Sequence, residues 1–131
     1  MTFEYLKNNR EIESLSEFDD HYSVSFLNDK KNGLKGFIAI HRKNPHFPSF
    51  GATRLWSYTT GTEALSDALR LSRMMSYKSA LAGLKAGGAK GVIILPKDKQ
   101  VDKKRLLQAY AKQVDLLKGN FITGTDVGLD Q

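Results

Sequence analysis

The chemistry suggested by this sequence is concentrated in residues 75–91, where Lys78 and Lys90 flank a turn rich in glycine and alanine. Glycine lets the backbone approach a ligand closely. A lysine binds anions as an ammonium group, and it loses its proton more readily when it is buried or near a second cation. Two lysines that converge on such a turn indicate a site for a small anion, where one binds charge and the other acts partly deprotonated. The alternative is an ordinary helix-to-strand connection that needs glycine and carries two solvated lysines.

The composition excludes several classes of protein. The chain has 131 residues, which favours one domain, and no cysteine, so it has neither disulfides nor a catalytic thiol. Residues 1–15 lack the apolar core of a signal peptide, and the apolar run 92–95 is far shorter than the roughly 20 residues that span a bilayer. We therefore expect a cytoplasmic protein that does not bind membranes.

Neither the distribution of positive residues nor the spacing of the histidines predicts a nucleic acid or a metal ion as a partner. The net charge is +6, but the positive residues are dispersed and form no basic stripe interleaved with aromatic residues. Three histidines lack the spacing of a metal site, and we expect them on the surface or in loops: His21, His41 and His46.

The first half of the chain predicts an antiparallel hairpin. Apolar residues alternate in 21–28, an Asn-Gly turn follows at Asn32 and Gly33, and a second apolar run covers 34–42. Residues 43–60 show no period and predict a long irregular segment, although its aromatic residues favour an ordered one.

The second half predicts alternating helices and strands. Thr60 and Glu63 form a capping box before a helix over 62–81, and a buried central strand follows at 92–95. A second helix is predicted over 103–118 and a short last strand over 120–123. The whole chain is predicted to be an α/β protein, a three-layer α/β/α sandwich with a mixed, mostly parallel sheet. Lys90 is expected just before its strand.

Six short motifs occur in one order along the chain: GATR at 51–54, ALRL at 68–71, MSYK at 75–78, AGL at 82–84, GGAKG at 87–91 and TDVG at 125–128. Over about residues 20–131 this ordered set resembles the N-terminal, substrate-binding and dimerisation domain of the glutamate, leucine, phenylalanine and valine dehydrogenases. It is most similar to the leucine and phenylalanine branch. The ordered set is more specific than any one motif.

The resemblance implies a reaction and the residues that perform it. Enzymes of this family oxidatively deaminate an L-amino acid to a 2-oxo acid and ammonia with NAD or NADP, and this chain is expected to serve an apolar amino acid. By match to the motifs, Lys78 would bind the substrate carboxylate, Lys90 would activate water, and Asp126 would relay protons. Further substrate-binding residues are implied at Gly51, Gly87, Gly88, Phe50, Met75 and Gly124. From the residues alone, Asp126 could equally be a turn aspartate and Phe50 a core residue.

The chain departs from the family pattern in two respects. Ala52 stands where the leucine branch usually has a second glycine. The Rossmann domain of the family, with its GxGxxG fingerprint, is expected to be absent, because the glycines of 83–91 precede a strand instead of opening a helix. Residues 1–131 are thus expected to form a single domain that binds no cofactor itself and needs a cofactor domain for turnover.

The resemblance also implies partners. The family associates through this domain, so a homo-oligomer is expected, and a separate Rossmann domain is a possible partner. The alternative function is a stand-alone, non-catalytic module that binds an amino acid or 2-oxo acid or mediates oligomerisation.

Overall fold

The computed structural model describes residues 11–98 and 100–125. Near the start of the described residues it contains the predicted antiparallel hairpin. Strands β1 (Ser23–Asp29) and β2 (Leu34–Ile40) pair antiparallel. A single turn of 3-10 helix (Lys30–Asn32) joins them, and the Asp29 carboxylate accepts the Asn32 N–H. Gly33 follows with a φ of 75°, a left-handed conformation that glycine adopts without steric cost.

Strand β3 (Ser49–Trp56) shows that the prediction of an irregular segment over 43–60 was wrong for its central residues. Within this segment, only residues 43–48 and 57–60 belong to no helix or strand. The side chains of β3 alternate, but the buried row is mostly small or polar: Ser49, Gly51, Thr53 and Leu55. The Thr53 hydroxyl lies 2.6 Å from the Tyr110 hydroxyl and 2.6 Å from the Thr123 hydroxyl, and these hydrogen bonds compensate its burial. A buried row of this composition has no hydrophobic period, so the sequence pattern does not reveal the strand.

Helix α1 (Gly61–Leu81) begins where the capping box predicts. The Thr60 side chain accepts the Glu63 N–H at 3.1 Å, and the Glu63 carboxylate accepts the Thr59 N–H at 3.2 Å. The first half of the helix buries an apolar row against the sheet, namely Ala64, Leu65, Ala68 and Leu69. No helix in residues 11–98 and 100–125 combines the length and apolar character needed to cross a bilayer.

Strand β4 (Ala89–Ile94) begins earlier than the predicted strand at 92–95. Lys90 is its second residue and does not precede the strand, which corrects the sequence-based placement. The register with β2 extends to the pair Ile40 and Ala89. The amino end of β4 alternates small residues with a lysine, so it carries no apolar pattern from which its start could be predicted.

Helix α2 (Lys103–Asp115) and strand β5 (Phe121–Thr125) complete the described elements. The Asp102 carboxylate caps α2 by accepting the Lys104 N–H at 2.9 Å. The helix ends before the predicted residue 118, and Gly119 lies in the following turn with a φ of 82°.

The sheet has the order β1-β2-β4-β3-β5. Only β2 runs opposite to the other strands of this sheet, because β3 is parallel to both β4 and β5. Ala39 and Val92 pack beneath α1, whereas Ile38, Ile40 and Ile93 pack beneath α2. The predicted three-layer α/β/α sandwich with a mixed, mostly parallel sheet is therefore confirmed.

The close approach of the β3 and β4 backbones predicts that Gly51→Ala is strongly destabilising. A Cβ at Gly51 would lie 1.6 Å from the Ala89 carbonyl oxygen, and a backbone atom of a central strand cannot move aside. We expect the free energy of unfolding, measured by urea titration, to fall by about 3 kcal/mol or more.

The control is Gly61→Ala at the first position of α1, where no atom of the described residues lies within 4 Å of the added Cβ. This substitution should not destabilise the fold, because alanine is the better helix former. Equal effects of the two substitutions would contradict the packing argument.

Candidate active site

Lys90 is buried on the face of the sheet that carries α1. Side chains alternate along a strand, so Lys90 shares the face of Val92, which packs beneath α1. The residue is only 5 % exposed, and the β2 residue opposite it is Ala39. Lysine is one of the residue types that are least often buried. Its position therefore makes Lys90 the strongest candidate for chemistry in the described structure.

A strip of small and apolar residues lies beside Lys90 on the same face. The parallel register of β3 and β4 places Ala52 beside Lys90, and that of β3 and β5 places Gly124 beside Ala52. In the next row, Phe50 is 37 % exposed and Ile122 is 47 % exposed. Gly124 is exposed as well. We call Phe50, Ala52, Ile122 and Gly124 the open strip; a small molecule could lie on it next to Lys90.

Met75 and Lys78 lie on the last turns of α1. Met75 is half-buried and Lys78 is exposed. This part of the helix packs against the chain just before β4, because a Cβ at Gly88 would lie 2.1 Å from the Ser76 nitrogen. Ser76 precedes Lys78 by two residues, and Gly88 precedes Lys90 by two residues. The structure thus brings together the backbone segments that carry the two lysines.

The predicted glycines fall into two groups. A Cβ at Gly51 would lie 1.6 Å from the Ala89 carbonyl oxygen, and one at Gly87 would lie 1.8 Å from the Arg42 carbonyl oxygen. These positions, like Gly88, are glycine because protein backbone occupies the space of a side chain, and their role at a substrate stays a prediction. Gly124 differs, since no atom of the described residues lies within 4 Å of its missing Cβ.

Asp126, the predicted proton relay, lies outside the described residues. In the sequence it directly follows Thr125, the last residue of β5. Sequence order alone leaves the separation of Asp126 and Lys90 open. The register adds that Gly124, near the end of β5, lies in the same row as Lys90.

Two histidines are buried, which corrects the prediction that they lie on the surface or in loops. His21 is 8 % exposed and His41 is 2 % exposed. The Asp19 N–H donates to His21 Nδ1 at 3.1 Å, and His21 Nε2 donates to the Leu69 carbonyl at 2.9 Å. Leu69 lies 48 residues from His21 in the sequence, so no local spacing could have indicated the burial. His46 is exposed, as predicted.

His41 links Asp19 to α1 through a chain of hydrogen bonds. His41 Nε2 lies 2.7 Å from the Asp19 carboxylate, and His41 Nδ1 lies 2.8 Å from Ser76 Oγ. A carboxylate only accepts, so Nε2 carries the proton, and Nδ1 of the neutral ring accepts from the Ser76 hydroxyl. Ser76 Oγ in turn accepts the Gly88 N–H at 2.8 Å. We call Asp19, His41, Ser76 and Gly88 the serine–histidine chain.

The electrostatics of this cluster favour neutral rings beside an ionised carboxylate. Burial lowers the pKa of His21 and of His41, and for His41 it outweighs the opposite effect of Asp19. The hydrogen bond from His41, supported by the nearby Arg42, lowers the pKa of Asp19. Within the described ranges, no group of three or more histidine and carboxylate side chains could hold a metal ion.

A separate apolar cleft of about 660 Å³ lies on the α2 side of the sheet. Leu55, Trp56, Leu95, Pro96 and Leu106 contribute to its wall, near the carboxyl ends of β3 and β4, where ligands of α/β sheets often bind. It includes none of the predicted site residues. We place the candidate site at the open strip because the buried lysine lies there, on the opposite face.

Sequence comparison decides the family. The family model described as Glu/Leu/Phe/Val dehydrogenase, dimerisation domain, matches residues 19–131. This chain belongs to that family. The match covers all the residues proposed above from the resemblance, including Lys78 and Lys90.

Several amino acid dehydrogenases are similar to this member of the Glu/Leu/Phe/Val dehydrogenase family. Leucine dehydrogenase from Geobacillus stearothermophilus is 44 % identical over 119 residues, which are 90 % of this chain and 32 % of the relative. Valine dehydrogenase from Streptomyces albus is 42 % identical over 113 residues, 86 % of this chain and 30 % of the relative. The chain thus spans about a third of the length of these relatives.

The crystal structure of L-tryptophan dehydrogenase from Nostoc punctiforme shares the fold. It superposes with a TM-score of 0.74 at 42 % sequence identity, covering 94 % of this chain and 34 % of that chain. The described fold is therefore one that a solved amino acid dehydrogenase contains.

The glycine turn does not fit a dinucleotide cofactor. A pyrophosphate site of the Rossmann type needs a glycine turn that opens a helix, whereas Gly87 and Gly88 lead into β4. The Arg42 carbonyl and the Ser76 nitrogen already occupy the space beside these glycines. We therefore assign no cofactor-binding residue within the described part of the chain.

The buried histidines predict that acid destabilises the fold. Their pKa values are lowered from the ordinary 6.5, so the unfolded chain takes up protons first as the pH falls. The stabilising contribution is complete above about pH 6.5 and is lost as the pH falls through the folded-state pKa. We expect the free energy of unfolding to decrease from pH 7.5 to about pH 5, by up to about 1.4 kcal/mol per pH unit for each histidine.

His41→Gln should reduce this pH dependence, because glutamine keeps polar atoms but does not titrate. The exposed His46 provides the control, and His46→Gln should leave the dependence unchanged. Urea titrations across the pH range measure both. The same slope in His41→Gln as in the unmodified chain would refute the assignment to His41.

Proposed function

We propose that this chain is the substrate-binding and catalytic-lysine domain of an NAD(P)-dependent dehydrogenase that oxidatively deaminates an apolar L-amino acid. The observation that supports this best is the buried Lys90 beside the open strip, next to the helix that carries Lys78. Membership in the dehydrogenase family adds the reaction class.

In this proposal each lysine has a separate task. Lys78, exposed at the end of α1, binds the substrate carboxylate as an ammonium group. Lys90, which is buried, serves as the general base that activates water against the imine carbon. Asp126 moves protons to and from the amino nitrogen. A nicotinamide cofactor, held by another domain, would supply the acceptor for the hydride.

The open strip is the proposed floor of the side-chain pocket. Phe50 and Ile122 offer exposed apolar surface, and Gly124 leaves space above β5. Met75 adds a flexible apolar side chain at the end of α1. Such a lining favours an apolar substrate side chain over a charged one.

The proposal includes partners that the described residues do not contain. The family model is that of a dimerisation domain, so we propose self-association into a homo-oligomer. We also propose that a Rossmann domain, on the same or another chain, supplies the cofactor. The cytoplasmic location expected from the sequence stays a prediction.

The catalytic roles can be tested in a chimera in which residues 20–131 replace the equivalent part of the Geobacillus stearothermophilus leucine dehydrogenase. Lys90→Ala should lower kcat by about a hundredfold or more, because a general base is lost. Lys78→Ala should mainly raise KM, by about ten- to a hundredfold, because a charge-assisted hydrogen bond to the carboxylate is lost.

Lys85→Ala is the matched control for these variants. Lys85 is exposed in the same connection between α1 and β4 but is no part of the proposed site. Its removal should change neither kcat nor KM. Undiminished turnover in Lys90→Ala would show that Lys90 is not the base.

Binding by the chain, compared with turnover in the chimera, distinguishes the enzyme from a non-catalytic module. We expect 4-methyl-2-oxopentanoate, at about a hundred times its Kd, to raise the Tm by several degrees. Lys78→Ala should remove this shift, and Lys85→Ala should not. Binding that depends on Lys78 together with an inactive, folded chimera would favour the non-catalytic alternative.

A further inference from the structure

Asp19, His41 and Ser76 have no role in the function proposed above, yet the serine–histidine chain that they form with Gly88 joins the segments that carry the two lysines. Ser76 is two residues before Lys78 on α1, and Gly88 is two residues before Lys90. The Gly88 N–H donates to Ser76 Oγ at 2.8 Å. This one hydrogen bond therefore joins the end of α1 to the start of β4 at the level of the proposed site.

The side chains of the covalent connection between α1 and β4 contribute little to this task, although its backbone makes hydrogen bonds to Ser79 and Asn44. Residues 82–85 are exposed, and Leu81 and Leu84 at the end of α1 and in the turn are 90 % and 57 % exposed. Gly83 within the turn has a φ of 75° and no atom of the described residues within 4 Å of its missing Cβ. A turn with so little packing does not define the separation of the elements it joins.

The orientation of the Ser76 hydroxyl is set by the remainder of the chain. The hydroxyl donates to His41 Nδ1 at 2.8 Å, which leaves its oxygen free to accept the Gly88 N–H. The Asp19 carboxylate, 2.7 Å from His41 Nε2, holds the histidine in the tautomer that accepts at Nδ1. Arg42 donates to the same carboxylate at 3.2 Å and to the Asp19 carbonyl at 2.9 Å.

Gly88 is held from a second side by the backbone of His41. The His41 N–H donates to the Gly88 carbonyl at 2.8 Å. A Cβ at Gly88 would lie 2.4 Å from the Ser72 carbonyl oxygen, so the helix approaches as closely as a glycine permits. Both the N–H and the C=O of Gly88 are therefore engaged, one by Ser76 on α1 and the other by His41 after β2.

We propose that Ser76, oriented by His41 and Asp19, is a positioning residue that holds the backbone segments of Lys78 and Lys90 at a defined separation for one anionic substrate. The inference rests on the function proposed above. Ser76 acts through Gly88 and α1, and it need not touch the substrate.

The test uses this chain with 4-methyl-2-oxopentanoate as the probe. Ser76→Ala should raise the hydrogen-exchange rate of the Gly88 amide by at least about tenfold, because the amide loses its acceptor. It should weaken the affinity for the probe, measured by NMR titration, by about tenfold, because the two lysines are no longer held in one geometry. Affinities are compared at a temperature at which every variant is folded, so that a loss of stability alone does not change them.

Matched variants separate positioning from packing. Ser76→Thr retains the hydroxyl and should restore both the slow exchange and the affinity. Ser79, a buried serine on the same helix, lies outside the serine–histidine chain, and Ser79→Ala should change neither. If Ser76→Ala does not fold, Asp19→Ala is used in its place. It should also speed exchange of the Gly88 amide and weaken the affinity for the probe, but by smaller factors.

The possible outcomes distinguish this inference from the proposed function. Loss of affinity in Lys78→Ala with full affinity in Ser76→Ala would overturn the positioning role and leave the function standing. No loss of affinity in Lys78→Ala would overturn the function, and the inference with it, whatever the exchange rate of Gly88. Faster Gly88 exchange together with a weaker affinity in Ser76→Ala, both restored in Ser76→Thr, is the expected result.

Discussion

The backbone of Gly87 and Gly88 holds together the elements around the site. The Gly87 carbonyl accepts the Phe50 N–H near the start of β3, the Gly88 carbonyl accepts the His41 N–H after β2, and the Gly88 N–H reaches Ser76 on α1. These contacts are possible because neither residue has a side chain that would collide with the neighbouring backbone. Lys90 lies on β4, two residues after Gly88, so its position depends on these backbone contacts.

The long helix changes its mode of packing along its length, and the site lies at the change. The first half of α1 buries alanine and leucine against Ala39 and Val92, whereas further along the buried residues include Ser72 and Ser79. Apolar packing is non-directional and tolerates small shifts, but hydrogen bonds demand a defined geometry. A polar contact between helix and sheet is therefore suited to the end of α1, where the proposed function requires a defined position of Lys78 relative to Lys90 on β4.

The buried polar groups around the site are compensated as a connected set. Burial lowers the pKa of His21 and of His41, and the hydrogen bond from His41 lowers the pKa of Asp19. Ser72 bonds to the His21 ring and Ser76 to the His41 ring. Because each group satisfies the next, the cluster avoids the cost of an unpaired buried polar atom. In the open strip, by contrast, the fold leaves small and apolar residues at least partly exposed.

The sequence by itself determined the family, the helices and the hairpin, because caps, glycine turns and apolar periods act locally, and ordered motifs identify a relationship without coordinates. It also indicated Lys78 and Lys90 by their place around a glycine turn. Only the tertiary structure revealed β3, whose buried row of Ser49, Gly51 and Thr53 has no hydrophobic period. Likewise, only the structure showed that Lys90 belongs to a strand and that Asp19, His41 and Ser76 form one chain of hydrogen bonds. These features arise from contacts between residues far apart in the chain, and no local pattern records such contacts.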